Sequence, residues 1–241
     1  MSKQGYIMKI IKYNSNKDIV VEFQDKYKAK VHTGYHNFKN RTVHNPYART
    51  VMGVGFLGEG DGIKEGDTLK KPYSIWVSML NRCYSKVNKK NPSYGSCAVC
   101  EEWHNYRNFE KWFYENYYEI DGEDMELDKD ILCKHNKMYC PQYCCFVPSN
   151  INCIFTRGEK IRGEYPIGVM WHKRDEVFEA WCCNGNKKSV YLGRFDNQYD
   201  AFYEYKKYKE KVIKDVAHKY RKLIPIRLYE GLMNYEVEIT D

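Results

Sequence analysis

The N-terminal quarter of the chain consists of short runs in which apolar and polar residues alternate. Asparagine, serine and aspartate separate these runs, as they separate the strands of a small antiparallel sheet. The pattern predicts strands over residues 6–13, 19–24 and 27–32, and a glycine-containing run predicts a fourth over 51–57. Residues 58–66 have no apolar periodicity, which indicates a linker or an exposed loop.

Two segments in the middle of the chain repeat apolar residues at helical spacing. The first covers residues 72–84 and begins with Pro72, a residue favoured in the first turn of a helix. The second covers residues 103–118. Large aromatic residues dominate both apolar stripes, so we interpret the two segments as packing helices.

Three strands and a long helix are predicted near the C-terminal end. The strands cover residues 168–173, 177–183 and 188–192. The dipeptide Asn184-Gly185 lies between the last two, and Asn-Gly is the strongest short signal for a hairpin. Asp196 is placed to cap a helix over residues 199–222. Residues 223–241 predict a helix and, over 235–239, a strand, which dock back on the body.

Basic residues are concentrated at the N-terminal end. Of 39 Lys/Arg and 32 Asp/Glu, residues 1–58 hold 10 and 3, so this segment alone matches the net charge of +7. The chain also has 23 tyrosines, and basic surface with interleaved aromatic residues is typical of proteins that bind polyanions. The same composition suits a soluble chain whose small cores are built from tyrosine. Both interpretations stay open.

No apolar run reaches the about 18 residues of a membrane span, and residues 1–11 lack the apolar core of a secretory signal. We therefore expect a cytoplasmic protein with no membrane partner. Its ten cysteines are then expected to be free thiols or metal ligands. Cys97 and Cys100 have the spacing of a zinc knuckle, but a second such pair is missing. Buried structural thiols are therefore favoured over a zinc site.

A recognisable motif covers two strand-like runs, 127–132 and 145–147, and a helix start at Pro148. Leu127-Asp128-Lys129-Asp130-Ile131-Leu132, Asn136 and Cys145–Asn152 together resemble the HNH homing-endonuclease motif, especially the divergent HNH-like proteins of phage genomes. The resemblance implies a hairpin and a helix that hold one divalent ion, Mg²⁺ or a similar one, against a DNA phosphate.

The resemblance also assigns roles to individual residues. It gives catalytic roles to Asp128, Lys129 and Asn136, metal ligation to Asp128, Asp130, Asn150 and Asn152, and phosphate contacts to Arg157 or Lys160.

The general-base position departs from the family. One alignment puts Lys129 where the family has its histidine, and another, through Asn136, puts Asp128 there. The loop asparagine of the family falls on Tyr143. A lysine is protonated near neutral pH and an aspartate is a weak base, so binding without cleavage is kept beside the nuclease interpretation. A non-functional alternative is that residues 127–132 are plain strand residues with solvated charges.

The segment 165–211 is similar to the plant ethylene-response-factor DNA-binding domain, which phage and homing-nuclease proteins also carry. Its most specific piece is Tyr191-Leu-Gly-Arg-Phe-Asp196. The resemblance implies a three-stranded sheet that lies in the DNA major groove. Ile167 and Met170 replace the two guanine-reading arginines of the plant family. The remaining candidate nucleic-acid contacts, each with packing or solvation as its alternative, are Trp171, Lys173, Arg174, Trp181, Lys187, Lys188 and Arg194.

These features predict an α+β protein. It would have a small N-terminal β-unit, an HNH-like middle with packing helices and a C-terminal three-stranded antiparallel sheet with a helix. The predicted domains are residues 1–58, 67–160 and 164–222, followed by a docking tail over 223–241.

Three hypotheses about function follow. The first is a metal-dependent DNA endonuclease of homing type. The second is a DNA-binding or RNA-binding protein on a nuclease scaffold that no longer cleaves. The third is a phage counter-defence protein of the anti-CRISPR kind, which would bind a host defence nuclease. The oligomeric state is left open.

Overall fold

The computed structural model describes residues 1–87, 95–155, 164–185, 188–239 and 241. It contains helices and several small, mostly antiparallel sheets, and the predicted α+β class is confirmed. Contacts divide the chain into two compact units. Unit 1 comprises residues 1–116 with 137–140, and unit 2 comprises 117–136 with 141–241.

Unit 1 begins with a three-stranded antiparallel sheet in the order β1-β2-β3. The strands are β1 (Met8–Ser15), β2 (Asp18–Phe23) and β3 (Lys30–Thr33), followed by a short helix, α1 (Tyr35–Lys39). One face of this sheet forms an apolar cluster because alternate strand residues point the same way. Its buried members are Met8, Ile19, Val21, Phe23, Ala29 and Val43.

The predicted fourth strand over residues 51–57 is wrong. Val51 and Gly55 bond to each other across a tight turn. Met52 and Gly53 have φ values of 51° and 74° within that turn. A left-handed backbone reverses the chain and cannot extend a strand.

The two predicted packing helices are present in unit 1. They are α2 (Lys71–Tyr84) and α3 (Tyr106–Asn116), and a 3₁₀ turn (Glu101–His104) precedes α3. Trp76 of α2 is fully buried, and its indole nitrogen donates to the carbonyl of Trp103 at 2.7 Å. Unit 1 also has two minimal sheets: β4 (Lys64–Glu65) pairs with β5 (Thr68–Leu69), and β6 (Ala98–Val99) pairs in parallel with β8 (Met138–Tyr139).

Unit 2 contains a strand pair that leads into a short helix. β7 (Met125–Asp128) pairs antiparallel with β9 (Cys145–Pro148), and α4 (Ser149–Asn152) and a 3₁₀ turn (Cys153–Phe155) follow. The predicted first strand over residues 127–132 is thus shifted towards the N-terminus. It ends at Asp128 because the next residues turn away from the ladder.

The C-terminal sheet of unit 2 is formed by β10 (Val169–His172), β11 (Val177–Cys183) and β12 (Ser189–Phe195), in that order. The long helix α5 (Gln198–Tyr220) follows and packs on it. The cap of this helix is Asn197, whose side chain accepts from the backbone amides of Tyr199 and Asp200, and not Asp196 as predicted.

The last segment of unit 2 forms one helix, α6 (Ile226–Met233). The predicted strand around residues 235–239 is absent. Val237 is buried there, and side chains of α5 bond its backbone instead: Lys206 donates to its carbonyl at 2.7 Å and Glu210 accepts from its amide at 2.9 Å. In the described part of the chain, no helix has both the length and the apolar character needed to cross a bilayer.

Candidate functional site

The strand pair β7–β9 and helix α4 have the order strand, loop, strand, helix that the HNH resemblance implies. Leu127 pairs with Phe146 and Asp128 pairs with Cys145, where the ladder ends. Leu127 and Phe146 are buried, so the ribbon is fixed by its own apolar contacts. The predicted catalytic residues follow directly on this fixed end.

Asp128 holds the turn that leaves β7. Its Oδ1 accepts from the backbone amides of Asp130 at 2.8 Å and Ile131 at 2.7 Å. This is the usual role of an aspartate that closes a turn on its own backbone. Burial raises the pKa of the Asp128 carboxyl. The carboxylate therefore has a structural role that accounts for its position.

Lys129 is buried, with 5% of its surface exposed. Its ammonium donates to Asp130 Oδ2 at 2.6 Å and to the backbone carbonyl of Asn136 at 3.1 Å. The Asn136 amide donates in return to the carbonyl of Lys129 at 2.9 Å. These bonds close the loop after β7. An ammonium held in this way has no lone pair with which to accept a proton from water.

The two asparagines of α4 are bonded to glutamates. Asn150 donates to Glu123 Oε2 at 2.7 Å, and Asn152 donates to Glu126 Oε2 at 2.5 Å. The hydroxyl of Tyr220 donates to the other oxygen of Glu123 at 2.6 Å. Burial, with a further contribution from Glu123, raises the pKa of Tyr220 to about 12. This network ties α4 to the start of β7 and to the end of α5.

The predicted metal ligands do not fit a divalent ion in this arrangement. The ammonium of Lys129 already neutralises Asp130, and the Oδ1 of Asp128 is held by two backbone amides. Hard cations such as Mg²⁺ need several converging oxygen ligands. These residues therefore do not support a metal-dependent step. Arg157 and Lys160, the predicted phosphate contacts, lie outside the described residues.

Within the described ranges, one group of at least three His, Cys, Asp or Glu residues brings its ligand atoms within 4.8 Å of one another. It consists of His135, Glu238 and Asp241. The ammonium of Lys134 lies 2.9 Å from Asp241 and 3.4 Å from Glu238, and His135 lies 3.0 Å from Glu238. Because the ammonium of Lys134 already pairs with both carboxylates, the group serves as an ion-pair cluster that holds the tail.

The cysteines of the predicted zinc-knuckle spacing flank the minimal strand β6 in unit 1. Cys97 and Cys140 are buried and Cys100 is partly buried. Burial raises the pKa of the Cys100 thiol, which disfavours the thiolate that would ligate zinc. Cys97, Cys100 and Cys140 do not converge as a metal-ligand group among the described residues.

The C-terminal sheet has a helix-facing side and an outer side. Val169 and Ala180 pair with each other and are buried with Ala201 of α5, which defines the helix-facing side. Trp171 lies on this side because it is two residues from Val169, and its ring contacts Phe178 at 4.7 Å between centroids. Of the two predicted tryptophan contacts, only Trp181 lies on the outer side.

A β-bulge sets which residues of β12 reach the outer side. Ala180 pairs with Gly193, but Trp181 pairs with Tyr191, so Leu192 is the extra residue. Gly193 has φ +138°, a backbone conformation that suits glycine. Leu192 consequently packs in the core and Tyr191 lies beside Trp181, with ring centroids 5.0 Å apart. Bulges are a known means of re-aiming a side chain.

Arg194 lies on the outer side, but carboxylates surround its guanidinium. It contacts Glu179 at 3.1 Å and Asp175 at 2.8 Å. Asp175 also binds Arg174 at 2.8 Å. These contacts lower the pKa of Asp175, with Arg174 as the main cause. The charge of Arg194 is therefore balanced within the sheet.

The remaining predicted contacts lie at the hairpin ends of the sheet. Lys173 and Arg174 are exposed in the β10–β11 turn, and Lys188 is exposed just before β12. Lys187 lies outside the described residues. The structure thus places Lys173, Arg174 and Lys188 at the rim of the sheet, and the ring pair Trp181–Tyr191 lies on its outer side between the hairpin ends.

The sequence does not identify three residues of the outer side or of the glutamate network. Tyr191 stands within a family motif, and Met170 stands at the position of a lost arginine. Glu123, which joins Asn150 to Tyr220, has no sequence signal. The glycine in Tyr-Leu-Gly was the signal for the bulge that could have identified Tyr191.

Comparisons of the chain with protein-family models, with curated proteins and with solved structures find no match.

Proposed function

We propose that this chain is a nucleic-acid-binding protein that uses the outer side and the rim of its C-terminal sheet. The observation that carries the proposal is the arrangement of exposed side chains on one surface. Met170 is 60% exposed and Tyr191 is 46% exposed beside Trp181, while Lys173 and Lys188 are exposed at the two hairpin ends. Aromatic side chains bordered by cations suit a ligand that has both bases and phosphates.

Charge supports the same proposal. Residues 164–222 carry 13 Lys/Arg and 9 Asp/Glu, an excess of four positive charges. Lysines that contact phosphate release counterions from the nucleic acid, so their contribution to binding falls as salt rises. The proposal assigns binding and no cleavage, because Lys129, Asp128 and Asn136 are engaged in holding the loop after β7.

Fluorescence anisotropy of a labelled DNA oligonucleotide, titrated with the full chain between about 50 and 200 mM salt, tests the proposal. We expect affinity to fall steeply with salt. The double variant Lys173→Glu/Lys188→Glu should bind more weakly, with a salt slope lower by about two because two phosphate contacts are lost.

The matched control is Lys64→Glu/Lys111→Glu, which makes the same charge change at two exposed positions in unit 1. It should keep most of the affinity. An equal loss in both variants would show general attraction to a basic chain and would overturn the assignment to this sheet. An absence of binding at low salt would overturn the proposal as a whole.

A further inference from the structure

The outer side of the C-terminal sheet presents ring surfaces and lacks an available base-reading cation at its centre. The described residues whose side chains lie there include Met170, Glu179, Trp181, Tyr191 and Arg194. The cross-strand row Met170–Glu179–Arg194 has one cation, and Glu179 and Asp175 both bind it. The adjoining row is the ring pair Trp181–Tyr191.

The ring pair is a product of the bulge in β12. In a regular ladder Trp181 would face Leu192, and Tyr191 would point towards α5. The extra residue turns Leu192 into the core and brings Tyr191 to the outer side. Trp181 is further fixed because its indole nitrogen donates to Glu179 at 3.3 Å. Tyr191 stays 46% exposed on this side, so it gains less from apolar burial than it would in the core.

Exposed aromatic rings on the sheet suit a single strand of nucleic acid better than a duplex. In a duplex the faces of the bases are covered by their stacked neighbours, so a sheet can reach only base edges and phosphates. Reading base edges calls for donors such as arginine, and the guanidinium of Arg194 is already held by carboxylates. In a single strand the base faces are accessible, and every base can stack on an aromatic side chain.

We infer that the outer side of this sheet binds single-stranded nucleic acid by stacking bases on Trp181 and Tyr191, with the rim cations holding the phosphates. This inference rests on the proposed function and names its ligand class. Met170 would lie against a base neighbouring the ring pair, since it is exposed on the same side of the sheet. Lys173 and Lys188, at the two hairpin ends, would lie beside the path of the bound nucleic-acid strand.

The test compares three labelled probes at equal salt: an oligothymidine of about 12 nucleotides, an abasic oligomer of the same length and a duplex of the same length. The full chain should prefer oligothymidine to both of the others. The variant Trp181→Ala/Tyr191→Ala should lose roughly 5- to 100-fold in affinity for oligothymidine and little for the abasic oligomer, because only base contacts are removed.

Two further variants separate stacking from a general disturbance of the fold. Trp181→Phe/Tyr191→Phe keeps two rings and should restore most of the affinity. Tyr199→Ala/Tyr203→Ala removes two tyrosines of α5 that are 63% and 66% exposed and should leave binding unchanged. If the alanine variant unfolds, the phenylalanine variant and the probe preference of the unaltered chain still test base stacking.

The outcomes distinguish the inference from the proposed function. Binding of all three probes with equal affinity, or an unchanged affinity in Trp181→Ala/Tyr191→Ala, would overturn base stacking and leave nucleic-acid binding intact. Preference for the duplex would also overturn it. If none of the probes binds at low salt, the proposed function fails as well, and the exposed rings would then be assigned to contact with a protein.

Discussion

At the scale of single residues, the predicted catalytic centre is a set of structural contacts. Asp128 accepts two backbone amides, and Lys129 and Asn136 exchange hydrogen bonds across the loop. Each of these side chains is satisfied by a partner within a few residues of the chain. The polar residues that suggest an HNH centre in the sequence thus account for the shape of a loop.

Replacing Asp128 tests this structural role. Asp128→Asn keeps an oxygen that accepts the two amides and removes a buried charge, so we expect it to be at least as stable as the unaltered chain at neutral pH. Asp128→Ala removes the acceptor and should cost about 1–2 kcal/mol in the free energy of unfolding. Denaturant unfolding measures both. A larger loss in the asparagine variant than in the alanine variant would contradict the assignment.

The raised pKa of Asp128 predicts how the stability difference between Asp128→Asn and the unaltered chain depends on pH. A carboxyl whose pKa is higher in the folded state binds its proton more tightly there, so its ionisation opposes folding. Its destabilising effect is absent below the unfolded pKa of about 4 and is complete above the raised folded pKa. The stability of Asp128→Asn relative to the unaltered chain should therefore increase as pH rises through this interval.

The sequence could identify which residues are polar or aromatic at the candidate surface, but not on which side they lie. Trp171 and Trp181 look equivalent in the sequence, yet Trp171 lies on the helix-facing side of the sheet and Trp181 on the outer side. The position of Tyr191 depends on a bulge, and a shift of one residue reverses every side chain of a strand. Gly193 is a local signal for the bulge, but the side of the sheet that faces solvent is decided by packing against α5, which a local pattern does not contain.

At the scale of elements, strong local periodicity predicted the structure well. The helices α2 and α5 and the strands of the C-terminal sheet lie close to the predicted ranges, since large apolar stripes and an Asn-Gly turn specify them. The predicted strand over residues 235–239 failed because side chains from a distant helix, Lys206 and Glu210, take the place of strand partners. Long-range contacts of this kind cannot be found by reading a short window.

The start of α5 offers a prediction at this scale. Asn197 accepts from the amides of Tyr199 and Asp200, at 3.0 and 2.9 Å. Asn197→Ala should therefore lower the free energy of unfolding by about 1 kcal/mol. The neighbouring Asp196→Ala is the matched control, with an expected change within about 0.5 kcal/mol. Thermal or denaturant unfolding decides between them, and equal losses would mean that Asn197 is not the cap.

At the scale of the whole molecule, the charge is unevenly distributed. Residues 1–58, in unit 1, hold 10 Lys/Arg against 3 Asp/Glu, and residues 164–222, in unit 2, hold 13 against 9. Both parts can attract a polyanion over a distance, because electrostatic attraction needs no specific contact. Charge alone therefore does not identify the contact surface, and unit 1 also has exposed tyrosines such as Tyr13 and Tyr114. The proposal selects the C-terminal sheet because its ring pair Trp181–Tyr191 is bordered by exposed lysines at both hairpin ends.

Photo-crosslinking shows directly whether the C-terminal sheet contacts nucleic acid. The full chain would be irradiated with a thiothymidine-containing oligonucleotide, and the modified peptides would be located by mass spectrometry. We predict adducts on β11 and β12, at Trp181 and Tyr191, that disappear when unlabelled oligothymidine is added in excess. Competed adducts confined to unit 1, with none on the C-terminal sheet, would contradict the claim that this sheet binds nucleic acid.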